Sequence, residues 1–266
     1  MEYGSLIKKI PKWIKTQLEE AGLEGLVIGA SGGIDSSVTI KLANKIFTKN
    51  ILCLIMPCGN SSEEENKARY LLENNNIPYK YINFENIFHE FLKSTKNKEI
   101  NPNLANVDNK KNKLALANTK ARVRMMLLYY YAQINNYMVV GTGNRTELEI
   151  GYFTKYGDGG ADILPLAGLF KREVINIGKK LKVPERILTQ TPSGGLWKSQ
   201  TDEKEIGLTY DELEFGIRKY YNMKTKGFNL CINMDKKVVI EKTKRMIENN
   251  KHKTQMPPRC KIERKE

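Results

Sequence analysis

A short glycine- and serine-rich segment at residues 31–37 is the first part of the chain whose residue types suggest chemistry. It reads Ser-Gly-Gly-Ile-Asp-Ser-Ser and lies between a buried apolar run and a segment with helical periodicity. Gly32 and Gly33 let the backbone approach a ligand closely, and the helix that follows offers free N–H groups to an anion. Asp35 would repel a phosphate group unless a divalent cation bridged the two, so the segment predicts a phosphate site that uses Mg²⁺.

This loop differs from the two commoner glycine-rich phosphate motifs. It has neither the Lys-Ser/Thr pair of a Walker A loop nor the G-x-G-x-x-G pattern of dinucleotide-binding sites. In isolation, a serine-glycine segment is often only a turn that a serine caps. Its place after the first strand, at the edge of an open α/β sheet where ligands bind, favours phosphate binding.

A second polar stretch, residues 141–173, begins where another strand is predicted to end. It offers the hydroxyl of Thr142 and the carboxylate of Glu147 within its first residues. With Asp35 at the end of a different strand, Glu147 could complete a magnesium site that has two carboxylates, with phosphate and water as the remaining ligands.

The same stretch contains a glycine-rich turn, Tyr-Gly-Asp-Gly-Gly-Ala-Asp, at residues 156–162. The turn and the residue before it carry three charged side chains that are suited to contact a ligand, Lys155, Asp158 and Asp162. Seen alone, such a turn is better explained as a polar connection between two elements.

A sheet must position these residues. Short apolar runs predict buried strands at residues 26–31, 51–57, 79–83 and 137–142. Helical periodicity and capping residues predict helices at 2–22, 36–47, 61–76, 84–94, 114–135, 145–151, 172–181, 210–221 and 235–250. Strands that alternate with helices indicate the α/β class, here a doubly wound, mostly parallel sheet with helices on both faces. Residues 93–113, rich in Lys and Asn, predict a solvated loop.

Composition narrows the class of protein. The 266 residues, 40% of them hydrophobic, suffice for one domain with its own core and exclude general disorder. No apolar run approaches the roughly 18 residues of a membrane span, and the amino terminus lacks an apolar signal segment, so we expect a cytoplasmic protein. Four cysteines without C-x-x-C spacing and two histidines argue against structural zinc.

The formal charge of +14 is unevenly distributed, because residues 217–266 contain 15 Lys and Arg against 5 Asp and Glu. A basic balance can reflect binding to nucleic acid, an anionic small substrate or simply a lysine-rich genome. Composition does not choose among these three explanations.

Several of these stretches resemble known families. Ser-Gly-Gly-Ile-Asp-Ser is similar to the pyrophosphate loop (PP-loop) of N-type ATP pyrophosphatases. The stretch 141–173, with Gly-Thr-Gly-Asn-Arg-Thr-Glu and Gly-Tyr-Phe-Thr-Lys-Tyr-Gly-Asp-Gly-Gly-Ala-Asp, resembles the signature of the ammonia-dependent NAD synthetases. Ala-Arg-Val-Arg-Met at 121–125 and His252-Lys253 before Pro257-Pro258 also resemble that family. The resemblance spans about residues 20–260, so the chain is identified as a member.

The resemblance implies an adenine nucleotide alpha hydrolase-like fold, similar to a Rossmann fold, and a ligase reaction. ATP would adenylate the nicotinate carboxylate of deamido-NAD and release pyrophosphate, and ammonia would then displace AMP to give NAD, the last step of NAD biosynthesis. It also implies Mg²⁺, small-molecule substrates without nucleic acid or membrane, and a homodimer whose substrate sites use both subunits. We find no place for a glutamine amidase domain, so residues 1–266 are expected to form a single domain that uses free ammonia or ammonia from a separate glutaminase.

The resemblance also assigns roles to residues. Those assigned to ATP are Gly29, Ala30, Ser31, Gly32, Gly33, Ile34, Asp35, Ser36, Thr142, Lys171 and Ser193. Those assigned to deamido-NAD are Arg122, Lys155, Asp162, His252 and Lys253. The expected metal ligands are Asp35 and Glu147, and the expected catalytic residues are Asp35, Lys171 and Asp158. Lys171 would neutralise phosphate charge in the transition state, and Asp158 would orient the nicotinate end or steer ammonium.

Two other functions stay open on the sequence. The basic carboxyl-terminal part suggests a tRNA-modifying enzyme of the same ATPase class, which would bind tRNA with a steep salt dependence, although this chain lacks paired cysteines for thiolation. A non-catalytic nucleotide-binding module is disfavoured by Asp35, Glu147 and Lys171. The helix at 114–135 is more apolar than one buried face requires, so we expect it in a dimer interface. The segment 192–202, which contains Trp197, is expected to order over a bound ligand.

Overall fold

Four short parallel strands form the sheet of the computed structural model, which describes residues 2–59, 62–95, 110–192, 201–224, 228–260 and 262. The strands are Gly25–Gly29 (β1), Ile51–Ile55 (β2), Tyr79–Tyr81 (β3) and Tyr137–Val140 (β4). They pair in the order β3-β2-β1-β4, and every pairing is parallel. The chain leaves β1 toward β2 on one side and later returns to β4 on the other, so the carboxyl ends of β1 and β4 flank the switch point where such sheets bind ligands.

The strands contribute side chains to two separate hydrophobic cores, because successive residues of a strand point to opposite faces of the sheet. Leu26 and Ile28 of β1 belong to one core, whereas Val27 belongs to the other, together with Leu54 of β2. Both faces are therefore covered, which explains why β1, β2 and β4 are continuously apolar, whereas the edge strand β3, Tyr-Lys-Tyr, is more exposed.

Helices cover these two faces of the sheet. In chain order, those of the described residues are Tyr3–Glu20 (α1), Ile34–Ala43 (α2), Ser62–Glu73 (α3), Glu85–Ser94 (α4), Lys110–Asn135 (α5), Arg145–Ile150 (α6), Lys171–Lys180 (α7), Glu185–Leu188 (α8), Asp202–Ile206 (α9), Tyr210–Tyr220 (α10) and Lys236–Asn250 (α11). The first core takes side chains from α1, α2, α3 and α7. The second takes them from α4 and α5.

A third core joins α6, α10 and α11 beside the sheet. Leu213 and Ile217 of α10 pack there with Val239 and Ile247 of α11. The two helices approach closely at Gly216, where an added Cβ would collide with Thr243. This layer carries the basic carboxyl-terminal residues toward α6.

The predicted fold class is confirmed, and each predicted strand and helix is found within a few residues of its expected bounds. The short helices α8 and α9 were not predicted, because one turn is too short to show helical periodicity. The predicted loop at 93–113 is shorter at both ends, since α4 continues to Ser94 and α5 begins at Lys110; residues 96–109 lie outside the described residues. In the described part of the chain, no helix is long and apolar enough to cross a membrane.

Candidate functional site

The glycine-rich loop after β1 has the geometry of an anion site. It leads into α2, whose amino terminus has no side-chain cap, so the N–H groups of its first turn are available to a ligand. Hydroxyl groups hold the loop in shape: Ser31 Oγ and Ser36 Oγ are 2.9 Å apart. Ser36 and Ser37 donate to the carbonyl oxygen of Gly33 at 3.0 and 2.8 Å.

Gly32 cannot be replaced without strain in this loop. Its φ of +82° lies in the region that favours glycine, and an added Cβ would collide with the carbonyl group of Glu64 in α3. The loop is therefore shaped both by its own backbone and by the close approach of α3.

Three charged side chains meet beside the loop. Lys171, the first residue of α7, donates to Asp35 Oδ2 at 2.5 Å and to Glu147 Oε1 at 3.0 Å. The Lys171 side chain is only 5% exposed, and those of Asp35 and Glu147 are 16% and 18% exposed. Asp35 lies in the first turn of α2 and Glu147 in the first turn of α6, so the amino termini of three helices converge here. The structure thus brings together three residues that the sequence singled out.

Asn144, which has no predicted role, holds both carboxylates in place. Its Nδ2 donates to Asp35 Oδ1 at 2.9 Å. It also forms a capping box with Glu147: Asn144 Oδ1 accepts from Glu147 N at 3.2 Å, and Glu147 Oε2 accepts from Asn144 N at 3.3 Å. The spacing Asn-Arg-Thr-Glu directly after a strand is the sequence signal for this cap, and it could have identified Asn144.

Each charged group of the cluster affects the pKa of the others. Burial raises the pKa of the Glu147 carboxyl group to about 7, with a further contribution from the nearby Asp35 and opposition from Lys171. Burial alone would lower the pKa of Lys171, but the carboxylates of Asp35 and Glu147 outweigh burial and raise it above its ordinary value. Lys171 therefore stays cationic at neutral pH.

Tyr210 and Asp202 also belong to the cluster, although the sequence motifs assigned them no role. The centroid of the Tyr210 ring lies 5.1 Å from Lys171 Nζ, and its hydroxyl group lies 3.4 Å from Glu147 Oε1. The same hydroxyl donates to Asp202 Oδ2 at 2.8 Å. Tyr210 and Glu147 are 63 residues apart in the chain, so no local pattern pointed to this contact.

A second group of predicted residues surrounds the loop that follows α6. Arg122 Nε donates to the carbonyl oxygen of Lys155 at 3.4 Å, and Lys155 Nζ donates to that of His252 at 2.5 Å. Lys253 Nζ donates to the carbonyl oxygens of Gly151 and Phe153 at 2.7 and 3.1 Å. In the described part of the chain, none of these three cations forms an ion pair with a carboxylate, which leaves their charge for an anionic ligand.

The two predicted aspartates of the glycine-rich turn lie in different surroundings. Asp158 accepts from Thr154 N at 2.9 Å and is exposed. Asp162 accepts from Val139 N at 2.8 Å and from the Tyr129 hydroxyl at 2.9 Å. It borders a cleft of about 580 Å³ between the carboxyl ends of α1 and α5. The structure therefore does not bring Asp162 together with the Asp35 cluster.

The remaining predicted residues are placed as follows. Gly29 ends β1, Ala30 N donates to Leu54 O at 2.8 Å, and Ile34 begins α2. Thr142 lies between β4 and α6, beside the loop after β1 because β1 and β4 are neighbours. Ser193 and Trp197, and with them most of the segment expected to order over a ligand, lie outside the described residues.

Asp35 and Glu147 fit a divalent cation. Both carboxylates contact the same atom, Lys171 Nζ, so they are close enough to share one cation. Among the described residues, no group of three or more His, Cys, Asp or Glu side chains could hold a metal ion. Such an incomplete set of protein ligands suits Mg²⁺, which keeps several waters and binds together with substrate phosphates.

Comparison with known proteins decides the family. The model of the NAD synthase family matches residues 6–257. The chain belongs to the NAD synthase family. An NH(3)-dependent NAD(+) synthetase from Carboxydothermus hydrogenoformans is 40% identical over 250 residues, which cover 94% of each sequence.

Solved structures related to this NAD synthase family chain share its whole fold. The NMN synthetase from Francisella tularensis is 34% identical with a TM-score of 0.84, over 98% of this chain and 100% of that one. The NH3-dependent NAD synthetase from Campylobacter jejuni, in complex with a nitrate ion, is 26% identical with a TM-score of 0.77, also over 98% and 100%. The resemblance drawn from the sequence motifs is thereby confirmed at the level of the family.

Proposed function

We propose that this NAD synthase family member is an NH3-dependent NAD(+) synthetase, a ligase that converts deamido-NAD to NAD with ATP and ammonia. The observation that carries this proposal is the Asp35–Lys171–Glu147 cluster beside an uncapped helix amino terminus. It combines a buried positive charge with two carboxylates at a phosphate site, as nucleotidyl transfer requires. The NH3-dependent NAD synthetases from Carboxydothermus hydrogenoformans and Campylobacter jejuni support the same reaction.

The first half-reaction forms an adenylate. An oxygen of the nicotinate carboxylate attacks the α-phosphorus of ATP, and pyrophosphate leaves. The N–H groups at the start of α2 and the hydroxyls of Ser31 and Ser36 bind phosphate oxygens, while Lys171 places its ammonium group where negative charge grows. Mg²⁺ held by Asp35 and Glu147 would supply further positive charge to the triphosphate.

The second half-reaction forms the amide. The lone pair of ammonia attacks the acyl carbon, the bond to the AMP oxygen breaks, and the nitrogen releases a proton as AMP leaves. No covalent enzyme nucleophile is needed. We assign Asp158 to this step, as the carboxyl group that orients the nicotinate end or steers ammonium.

The basic group around the loop after α6 would bind the anionic dinucleotide. Arg122, Lys155 and Lys253 donate to main-chain carbonyl oxygens, and the exposed His252 lies in the same 3₁₀ helix as Lys253. Phosphate groups would replace or add to these carbonyl contacts, since an anionic oxygen is a stronger acceptor for a cation than a neutral carbonyl oxygen is.

We further propose a homodimer in which α5 forms the interface. Met126, Tyr130 and Ile134 are 63%, 59% and 58% exposed, and their spacing of four residues places them on one face of the helix. An apolar stripe of this kind is typical of a protein–protein contact. Asp162 borders a cleft beside the same helix, so a site shared by two subunits would explain why Asp162 lies apart from the Asp35 cluster.

A second candidate reaction is amidation of the mononucleotide to NMN, because the relative from Francisella tularensis is an NMN synthetase. Purified protein would be supplied with ATP, MgCl₂, ammonium chloride and either deamido-NAD or nicotinic acid mononucleotide. We expect NAD and pyrophosphate in equal amounts, with kcat/KM at least about tenfold lower for the mononucleotide, which lacks a phosphate and the second nucleoside.

A preference for the mononucleotide would favour the second candidate. Pyrophosphate release without any amide product would contradict both reactions. Glutamine in place of ammonium should give no NAD, since the nitrogen donor proposed here is ammonia.

A further inference from the structure

A chain of carboxylates and tyrosines leads from the Lys171 cluster to α9. The Tyr210 hydroxyl lies 2.8 Å from Asp202 Oδ2 and 3.4 Å from Glu147 Oε1. The Tyr152 hydroxyl lies 3.2 Å from Asp202 Oδ1 and 2.8 Å from Glu205 Oε2. Because a phenol has one proton to donate, each tyrosine can fully satisfy only one of its two carboxylate neighbours.

The distances decide where the Tyr210 proton lies. A separation of 2.8 Å is the ordinary length of an O–H···O bond, whereas 3.4 Å is too long for a good one. Asp202 is only 4% exposed, so little water competes for its oxygens. The Tyr210 proton is therefore donated to Asp202.

We propose that Asp202 is a positioning residue that holds the Tyr210 proton away from Glu147. Glu147 Oε1 then remains available to Lys171 and to a divalent cation. The inference rests on the proposed function, because it takes Glu147 as a cation ligand. Without Asp202, the acceptor left for Tyr210 within the described residues is Glu147, and its proton would compete with the cation for the lone pairs of Oε1.

The proposal predicts an unusual pattern among three variants. Asp202→Ala removes the acceptor, so the Tyr210 proton should turn to Glu147. Adding Tyr210→Phe removes that proton but keeps the ring beside Lys171. The double variant should therefore recover what Asp202→Ala loses. Tyr221→Phe is the matched control, because it removes a phenol that donates to Glu149 at 2.7 Å, outside the cluster.

Cation binding gives a readout besides activity. Mn²⁺ would be titrated in the presence of α,β-methylene ATP and followed by electron paramagnetic resonance. We expect Asp202→Ala to weaken Mn²⁺ binding by about tenfold, the size of one hydrogen bond to a charged group. The kcat of Asp202→Ala should fall together with its affinity for Mn²⁺, while its KM for deamido-NAD stays the same. The double variant should recover most of the lost kcat and most of the lost Mn²⁺ affinity.

Three results would overturn the proposal. The first is a double variant as weak as Asp202→Ala or weaker, since a purely structural role is not relieved by losing another hydroxyl group. The second is normal Mn²⁺ binding by a folded Asp202→Ala variant. The third is a wild-type protein that binds no Mn²⁺, which would remove the metal assignment as well; the first two leave the proposed reaction standing. Asp202→Leu, which is branched at the same atom as Asp and has no acceptor oxygen, replaces Asp202→Ala if the latter does not fold.

Discussion

The buried charges of Lys171, Asp35 and Glu147 stabilise one another. Lys171 is nearly fully buried, and it is balanced by Asp35 and Glu147 at hydrogen-bond distance. Removing one member of a buried ion pair leaves its partners without compensation, which costs far more than an exposed pair contributes. The residues proposed for catalysis are therefore also residues on which the fold depends.

Lys171→Met tests this coupling. It leaves two carboxylates facing each other, so we expect stability to fall by about 3 kcal/mol and pyrophosphate release to be lost. Mg²⁺ should restore more stability to this variant than to the wild type, because the cation takes the place of the ammonium group. Thermal unfolding with and without MgCl₂ measures both effects.

The control for that variant is Lys41→Met, since Lys41 donates to the neutral amide of Asn75 at 3.0 Å. It should show no gain from Mg²⁺ beyond that of the wild type. A Lys171→Met protein as stable as wild type and indifferent to Mg²⁺ would show that the two carboxylates do not share a cation site.

Gly32→Ala tests the shape of the phosphate loop. The substitution forces a side chain into a positive φ and against the carbonyl group of Glu64, so the loop must move. We expect ATP binding, measured by calorimetry, to weaken by about a hundredfold or more, since strain of this kind costs roughly 1–3 kcal/mol and the N–H groups are displaced as well. Gly4→Ala, in the open surface of α1, should bind ATP normally.

Individual site residues were predictable to different degrees. Asp35, Glu147 and Lys171 stand in motifs at strand and helix ends, where the chain order itself places them at one edge of the sheet. Asn144 had a signal in its capping box. Asp202 and Tyr210 were assigned no role, because their contacts with the cluster depend on how the third core packs against α6 and α7.

The elements were more predictable than the site, for a physical reason. β1, β2 and β4 are buried on both faces and are continuously apolar. Helices such as α1, α4 and α7 bury one face and show helical periodicity. Both patterns can be recognised from a short stretch of sequence. The one-turn helices α8 and α9 carry no such period. The packing of α10 on α11 depends on Gly216 facing Thr243, which no local pattern shows.

Gly216→Ala tests how α10 and α11 position the basic group. The added methyl group would collide with Thr243 and push α11 away, and α11 leads directly to Lys253. We expect a loss of about 2 kcal/mol in stability and a higher KM for deamido-NAD, with a smaller change in KM for ATP. Thr243→Ala in the same chain removes the nearest atom and should recover part of the loss; equal changes in both KM values would argue against this role of α11.

The whole molecule carries more positive charge than the site uses. Arg122, Lys155, Lys171 and Lys253 have tasks in the proposed reaction, whereas most of the excess in residues 217–266 has none. The charge alone did not choose among nucleic acid, an anionic small substrate and a lysine-rich genome, whereas the sequence motifs favour the anionic substrates of the proposed reaction.

The proposed dimer is a property of the whole molecule. Tyr130→Glu places a charge in the centre of the apolar stripe on α5, so we expect a monomer in sedimentation velocity and a loss of activity. Ile87→Glu, on α4 and 58% exposed, is the control and should keep the mass of the wild type. A wild-type protein that sediments as a monomer would contradict the interface.

The activation of the nicotinate carboxylate can be followed atom by atom. Deamido-NAD would be prepared with ¹⁸O in both carboxylate oxygens and converted with ATP, MgCl₂ and ammonium, and the products would be analysed by mass spectrometry. We predict one ¹⁸O in AMP for each NAD formed and none in pyrophosphate, because the oxygen that attacks the α-phosphorus leaves with AMP. Unlabelled AMP, or ADP together with labelled inorganic phosphate, would contradict adenylation.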